Sequence, residues 1–335
     1  MASPQVQHNT VQPDTGTLPD TVAMPGPCTV STNAPTAQAP LAFDAPAKPA
    51  PVAGAPRLTA AQAELLREIS ILDEYGARRG IHIPAERPLT VFVDKRELVT
   101  LMTLGASPEL LVLGYLLNQR LIATVDEVES ITVDWDVAAA AVKTRHGIVD
   151  LVGKTAHRVV TTGCGQGTVF GDMMGEVGAL QLPDAHTARI RQSTLHALLE
   201  QMRQRNGIHR KAGSVHGCAL FLGATLQVFV EDVGRHNAID SIAGWMGLHG
   251  VAGADKTFYT TGRLTSEMVL KSARMGVPII VSRNGVTAMG HSLAQQLGMT
   301  LFGRAANRHF LCYTGFERFD SEPEPQRAPV RVISG

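Results

Sequence analysis

The chain has 335 residues, of which 44% are hydrophobic and 18% charged, and its 30 basic and 30 acidic side chains leave no formal net charge. This balance excludes the bulk electrostatic attraction that draws basic proteins to nucleic acid or to membrane surfaces. Four widely spaced cysteines without a C-x-x-C pair, and the lack of a long apolar run or a signal peptide, predict a soluble cytoplasmic protein.

The N-terminal segment is rich in proline, alanine and threonine, and residues 1–57 contain 11 of the 19 prolines. Such a segment buries too little apolar surface to offset the entropy lost on ordering, so we expect residues 1–57 to be disordered. A helical extension is predicted over residues 58–83. Its helix begins at Ala60 after the candidate N-cap Thr59, and leucines recur at helical spacing as far as Tyr75.

A small β-rich subdomain with one internal helix is predicted over residues 84–160. Alternating apolar residues are typical of half-buried strands, and Ser107-Pro108 is typical of a helix start. The predicted strands are Leu89–Asp94, Leu98–Thr103, Val128–Asp134 and Ala138–Thr144, and the predicted helix is Glu109–Asn118.

An α/β subdomain is predicted over residues 161–318, because strands alternate there with helices, a pattern that favours a sheet covered on both faces. It begins with an amphipathic helix at Thr187–Arg205 and a loop as far as Val215. The predicted strands that follow are Gln227–Glu231, Thr257–Thr261, Ile279–Ser282, Thr300–Gly303 and Phe310–Tyr313, and the helices are Asn237–Met246, Ser266–Met275 and Thr287–Leu297. Residues 319–335 are expected to form a disordered tail.

A glycine-rich loop around Cys164 is the first candidate site. Gly163, Gly165 and Gly167 remove bulk around the sulfur and allow backbone amides to converge on it, which favours the thiolate. One interpretation is an accessible cysteine nucleophile. The other is a flexible connection that happens to contain a cysteine.

Three strand-to-helix junctions form a second candidate site, because each offers a glycine, a helix N-terminus and a cation, the components of an anion site. They lie at residues 231–237, 260–267 and 282–287, and a basic turn follows at residues 304–309. Ordinary helix capping explains any one junction better than a binding role does, but three junctions at one edge together with the basic turn favour a large phosphorylated ligand. Neither a Walker loop nor G-x-G-x-x-G follows a strand, so these patterns do not favour a nucleotide hydrolase or a dinucleotide enzyme.

The pair His216-x-Cys218 could supply two metal ligands, but no C-x-x-C supplies the others. We favour a buried cysteine that packs as a small apolar residue, and a histidine that faces the same cleft as Cys164.

Over residues 86–314 the chain resembles the formate dehydrogenase accessory sulfurtransferase family, FdhD. The stretches E-D-V-G-R-H-N and T-G-R-x-x-x-E-M are specific in combination. The resemblance rests on Glu86-Arg-Pro-Leu, Thr100-Leu-Met-Thr, Gly163-Cys164-Gly165, Val215-His216, Glu231–Ala238, Thr261-Gly262-Arg263 with Ser266–Val269, Leu297–Leu301 and Tyr313-Thr314.

The resemblance implies a cytidine-deaminase-like, three-layer α/β part without a deaminase metal site, beside a smaller β-rich part. It implies that sulfur passes from a cysteine desulfurase, through a persulfide on Cys164, to a bis(molybdopterin guanine dinucleotide) molybdenum cofactor destined for the catalytic subunit of formate dehydrogenase. GDP is expected at the same site, and a homodimer is compatible with it. The implied cofactor-binding residues are Arg304, Ala305, Ala306, Asn307, Arg308, His309, Gly262, Arg263, Asp232, Arg235, His236, Asn237 and His216.

Two departures from the family pattern leave alternatives open. Gly167 stands where most members have a second loop cysteine, and residues 304–309 lack the family's two glycines. One rival hypothesis is therefore a chaperone that binds the cofactor without moving sulfur. Another is a zinc-dependent hydrolase that uses His216, Cys218 and Cys164, although no glutamate stands in a His-x-Glu arrangement for proton transfer.

Overall fold

The computed structural model describes residues 42–148, 159–160, 167–168, 177–205 and 207–322. Its strands are β1 (Phe43–Asp44), β2 (Arg57–Leu58), β3 (Leu66–Leu72), β4 (Arg78–Pro84), β5 (Arg87–Val93), β6 (Arg96–Thr103), β7 (Val128–Asp134), β8 (Ala139–Thr144), β9 (Val159–Val160), β10 (Gly167–Thr168), β11 (Ile190–Arg191), β12 (His216–Leu222), β13 (Thr225–Asp232), β14 (Lys256–Thr260), β15 (Ile279–Ser282), β16 (Thr300–Ala306), β17 (His309–Thr314) and β18 (Phe319–Asp320). The helices are α1 (Pro108–Asn118), α2 (Gln192–Gln204), α3 (Ile208–Ala212), α4 (Arg235–His249), α5 (Ser266–Arg274) and α6 (Ala288–Gln296).

A seven-stranded mixed sheet lies at the centre of the α/β part, in the order β1-β13-β12-β14-β15-β16-β17. Strands β14, β15 and β16 are parallel, and the flanking pairs are antiparallel. Apolar side chains of α4, α5 and α6 pack on one face, and those of α2 pack on the other. The prediction of an α/β fold with a β-rich N-terminal part is therefore confirmed.

The β-rich part is a five-stranded sheet in the order β2-β7-β8-β5-β6, with α1 packed against it. Helix α1 also packs against α4 of the α/β part, and the two backbones meet at glycines. A Cβ atom on Gly114 would lie 1.7 Å from the carbonyl oxygen of Asp240, and one on Gly244 would lie 2.0 Å from that of Leu110. The two parts therefore pack against each other at a direct contact between the backbones of α1 and α4.

The prediction of a helical extension over residues 58–83 is wrong, because strands β3 and β4 pair there as an antiparallel hairpin. The Asp73 carboxylate accepts hydrogen bonds from the amides of Tyr75 and Ala77, and Gly76 has φ +79°, so the chain reverses where the helix was expected to continue. The hydroxyl of Thr59 caps no helix and donates to Glu109 over 2.6 Å. Strand pairing determines the structure of this segment, although its leucines recur at helical spacing.

The predictions of disorder at both ends of the chain are also wrong for the residues there that the structure describes. Strand β1 pairs with β13, and Ala42 beside it is buried. The nearby prolines do not prevent this pairing, because β1 is an edge strand. Strand β18 pairs with β11, and Phe319 packs edge-to-face against Phe302. Residues 1–41 and 323–335 lie outside the described ranges.

No strand was predicted for His216–Leu222, yet β12 is the third strand of the large sheet. Six of its seven residues are buried or half-buried, so the polar alternation that marks a half-exposed strand is missing. None of the helices in the described ranges is long and apolar enough to span a bilayer.

Candidate functional site

The three predicted junctions lie at one edge of the large sheet, and backbone hydrogen bonds connect the second junction to the start of β12 and to the third junction. The amide of Thr261 donates to Gly217, and that of Arg283 donates to Thr260 over 3.0 Å. The amide of Arg304 donates to the carbonyl of Asn284 over 2.8 Å. The ends of β14, β15 and β16 and the start of β12 therefore form one continuous surface.

Side chains fix the second junction against the third. The Ser282 hydroxyl donates to the carbonyl of Gly262 over 2.6 Å and accepts from the amide of Asn284 over 2.9 Å. A Cβ atom on Gly262 would lie 2.6 Å from Cδ of Arg235, so the arginine side chain occupies space that only a glycine leaves open. Gly262 thus has a packing role at this edge, and Arg263 beside it is exposed.

A cleft of about 500 Å³ opens on the α2 side of this edge. Its floor is apolar and consists of Leu199, Met202, Phe229 and Tyr259, and its rim carries Arg203, Arg205, His209, Arg210 and Arg283. Burial raises the pKa of Tyr259 to about 12, so its hydroxyl remains protonated and can donate a hydrogen bond. An apolar floor beneath a cationic rim suits a flat ligand that carries anionic groups.

The rim arginines fall into two classes. Arg203 forms a bidentate pair with Glu200, and Arg205 forms a salt bridge with Asp44. Neither Arg210 nor Arg283 has a carboxylate within 4.0 Å in the described part of the chain. These two guanidinium groups remain available for an anion.

Glu231 is the buried carboxylate of the cleft, and it organises the turn that carries His209. It accepts hydrogen bonds from the amides of Ile208 and His209, and a Cβ atom on Gly207 would lie 2.4 Å from its Oε2. Burial raises the pKa of Glu231, and the charge of Arg205 opposes that rise. The carboxylate therefore holds helix α3 against the sheet.

His216 and His236 lie near Arg235 at the same sheet edge, outside the cleft lining. His216 Nδ1 lies 3.3 Å from the Thr261 hydroxyl, and burial with the charge of Arg235 lowers its pKa. His236 Nε2 lies 3.4 Å from Glu267, but burial together with the charges of Lys271 and Arg235 lowers its pKa to about 2. Both imidazoles are therefore neutral near pH 7.

Asp232 and Asn237 do not face the cleft. Asp232 is buried and accepts from the Thr103 hydroxyl over 2.6 Å and from the amides of Leu104 and Gly234. The Asn237 amide donates to the same carboxylate over 2.7 Å and to the carbonyl of Met102. These two residues connect the end of β6 to the α/β part.

The predicted basic turn at residues 304–309 is the end of β16 and its hairpin to β17. Ala305, Ala306 and Asn307 line the cleft, and Arg304 and Asn307 adopt positive φ angles of 50° and 55°. Arg304, Arg308 and His309 are exposed and do not line it. The structure thus brings three of these six residues to the cleft.

Four basic residues of the cleft were not predicted as site residues: Arg203, Arg205, His209 and Arg210. They belong to the stretch R-Q-R-N-G-I-H-R-K at the end of α2 and in α3. This local concentration of cations was the available signal.

The described cysteines are poor nucleophiles. Cys218 is fully buried, its thiol lies 3.3 Å from the Thr260 hydroxyl, and burial raises its pKa to about 12. Cys312 is half-buried, and burial raises its pKa to about 11. The predicted carrier Cys164 lies outside the described residues, between the paired strands β9 and β10 in sequence.

The zinc hydrolase hypothesis requires His216, Cys218 and Cys164 together, and Cys164 lies outside the described residues. Within the described ranges, no three His, Cys, Asp or Glu side chains are grouped so that they could hold a metal ion.

We expect Cys218 and Cys312 to resist iodoacetamide in the native protein at pH 8. At pKa values of about 12 and 11, only about 1 in 10,000 and 1 in 1,000 of these thiols is ionised at that pH, and the thiolate is the reactive species. Peptide mapping after native and denatured labelling measures this. Complete native labelling of Cys312 within the time needed to label a free thiol would contradict it.

The sequence model of the FdhD/NarQ family matches residues 84–320 of this chain. The chain is 32% identical over 240 residues to a sulfur carrier protein FdhD of Bacillus licheniformis, which covers 70% of this chain and 88% of that protein. It is also 32% identical over 237 residues to the sulfur carrier protein FdhD of Bacillus subtilis, with 70% and 88% covered.

Among solved structures, the chain is similar to a crystal structure from Desulfotalea psychrophila of a protein assigned as a formate dehydrogenase accessory protein. The TM-score is 0.61 at 27% identity, and the match covers 76% of this chain and 100% of that one.

Proposed function

The chain belongs to the FdhD/NarQ family, and on this premise we propose that it is a sulfur carrier that serves a formate dehydrogenase, with Cys164 as the carrier residue. The observation that carries the assignment of Cys164 is the state of the other cysteines. Cys218 and Cys312 are held as thiols by burial, and Cys28 precedes the residues that the family model matches. Cys164 is then the one candidate within the matched residues, and in the sequence it stands between Gly163 and Gly165.

The proposed chemistry is thiol–persulfide exchange. The Cys164 thiolate attacks the terminal sulfur of a persulfide on a cysteine desulfurase, the sulfur–sulfur bond of the donor breaks, and the donor cysteine leaves as a thiolate. Gly167 stands where a second loop cysteine would lie, so no thiol three residues away can attack the Cys164 sulfur to form a disulfide and release the terminal sulfur as sulfide. The terminal sulfur therefore remains available to an acceptor.

We place the acceptor in the cleft. The proposed substrate is a bis(molybdopterin guanine dinucleotide) molybdenum cofactor, bound through a guanine nucleotide portion, and GDP would occupy the same cleft. A volume of about 500 Å³ lies within the range of small-molecule sites. Arg210 and Arg283, which have no carboxylate partner among the described residues, would contact the diphosphate.

Formate dehydrogenase activity in cells that lack this protein tests the proposal. We expect wild type to restore the activity and Cys164→Ser to abolish it, whereas Cys28→Ser and Cys312→Ser should restore it as controls. GDP binding by purified Cys164→Ser should equal that of wild type, because the substitution leaves the cleft intact.

The second candidate function is a chaperone that binds the cofactor without moving sulfur, and Gly167 is the observation that favours it. Full restoration of activity by Cys164→Ser, together with intact GDP binding, would support the chaperone and overturn the carrier.

A further inference from the structure

Arg205 differs from the other cleft arginines because acidic groups surround it. Its guanidinium forms a salt bridge with the carboxylate of Asp44, and its charge also acts on the buried Glu231. The Arg205 side chain is only 20% exposed. An arginine compensated in this way is a weak ligand for phosphate, but its planar face remains available for stacking.

The Arg205 guanidinium lies over an aromatic ring. Its Cζ is 4.4 Å from the centroid of the Phe229 ring. Gly217 supports the same ring, since a Cβ atom there would lie 3.2 Å from Phe229 Cε2. Phe229 is 2% exposed and therefore has little freedom to move away. The guanidinium of this rim arginine is thus held over the floor residue Phe229.

Strand pairing places Asp44 where it can hold this arginine. In the β1–β13 pair, Asp44 lies directly opposite Phe229, and residues opposite each other point to the same face of a sheet. Strand β1 also precedes residue 84, at which the family match begins. The partner of this cleft arginine therefore belongs to a segment outside the matched residues.

We propose that Asp44, Arg205 and Phe229 form a platform for the purine base of a nucleoside diphosphate. Phe229 covers one side of the Arg205 guanidinium, the base stacks on the other side, and Asp44 is a positioning residue that keeps the guanidinium over the Phe229 ring. The diphosphate then lies towards Arg210 and Arg283, which have no carboxylate partner among the described residues. The platform rests on the cleft assignment in the proposed function, and it adds which residues recognise the base.

Binding of two probes to the full chain at one fixed ionic strength tests the platform. GDP contains the base and the diphosphate, whereas inorganic pyrophosphate contains no base. We expect Asp44→Asn and Arg205→Lys to weaken GDP binding about tenfold, the range of one base–side-chain stack. Pyrophosphate binding should stay equal or become tighter in Asp44→Asn, because the negative charge that pairs with the cleft residue Arg205 is removed.

Asp320→Asn is the matched control, since it removes the partner of Arg189 in another aspartate–arginine pair that does not line the cleft. It should leave both affinities unchanged. Unchanged GDP binding in both platform variants, or a parallel loss of GDP and pyrophosphate, would overturn the platform and leave the cleft assignment standing. A wild-type chain that binds neither probe would overturn the cleft assignment and the platform with it.

Discussion

Lys271→Met should lower the free energy of unfolding by about 3–5 kcal/mol, the cost of breaking a buried ion pair by removal of one partner. Lys271 Nζ lies 2.7 Å from Asp240 Oδ2, and both side chains have no exposed surface. The Asn118 amide donates to the other carboxylate oxygen over 2.7 Å. Without the lysine, the Asp240 carboxylate would remain buried with one neutral donor.

The loss should depend on pH in a defined direction. Burial raises the pKa of Asp240, and Lys271 opposes that rise, so its removal raises the pKa further. An acid whose folded pKa lies above its unfolded value takes up a proton on folding. The deficit of Lys271→Met should therefore shrink as the pH falls from 8 towards 5, by up to about 1.4 kcal/mol per pH unit.

Urea unfolding of a double-mutant cycle measures both effects. Asp240→Asn combined with Lys271→Met removes both charges and keeps an acceptor for Asn118, so it should recover at least half of the single-variant loss. If the double variant is as unstable as Lys271→Met, or if the deficit does not change with pH, the buried charge is not the cause.

Gly114→Ala should destabilise the protein by at least about 3 kcal/mol, because overpacking at a backbone contact cannot be relieved by a side-chain movement. The added carbon would lie 1.7 Å from the Asp240 carbonyl oxygen and 2.6 Å from the Gly244 nitrogen, both on helix α4. Helices α1 and α4 would have to separate. The β-rich part would then shift relative to the α/β part.

Gly178→Ala is the matched control, since a Cβ atom there has no heavy atom within 4 Å and φ is not positive. It should change the free energy of unfolding by less than about 0.5 kcal/mol. Equal stability of the two variants in thermal or urea unfolding would show that the helices can part without cost.

The α/β order could be predicted because each strand and its helix are local and bounded by strong signals. Ile279–Ser282 is an apolar run before a capped helix, and the observed strand has the predicted bounds. The hairpin at β3 and β4 could not be derived from leucine spacing. Its turn depends on hydrogen bonds from two backbone amides to the Asp73 carboxylate. Each of its strands is stabilised by pairing with the other.

The meeting of three junctions at one edge follows from parallel strands, so it was accessible from the sequence. The partners of individual polar residues were not. Asp232 and Asn237 belong to the most specific motif, yet they bind Thr103 and Met102, more than 100 residues away. Arg205 acquires its orientation from Asp44, 161 residues away, and no sequence pattern indicates that pair.

Intact-protein mass spectrometry after incubation with a cysteine desulfurase and cysteine tests the proposed carrier residue most directly. Wild type, Cys28→Ser and Cys312→Ser should each gain one sulfur atom that dithiothreitol removes, and Cys164→Ser should gain none. An equal gain in Cys164→Ser, or no gain in any of the four proteins, would contradict Cys164 as the carrier.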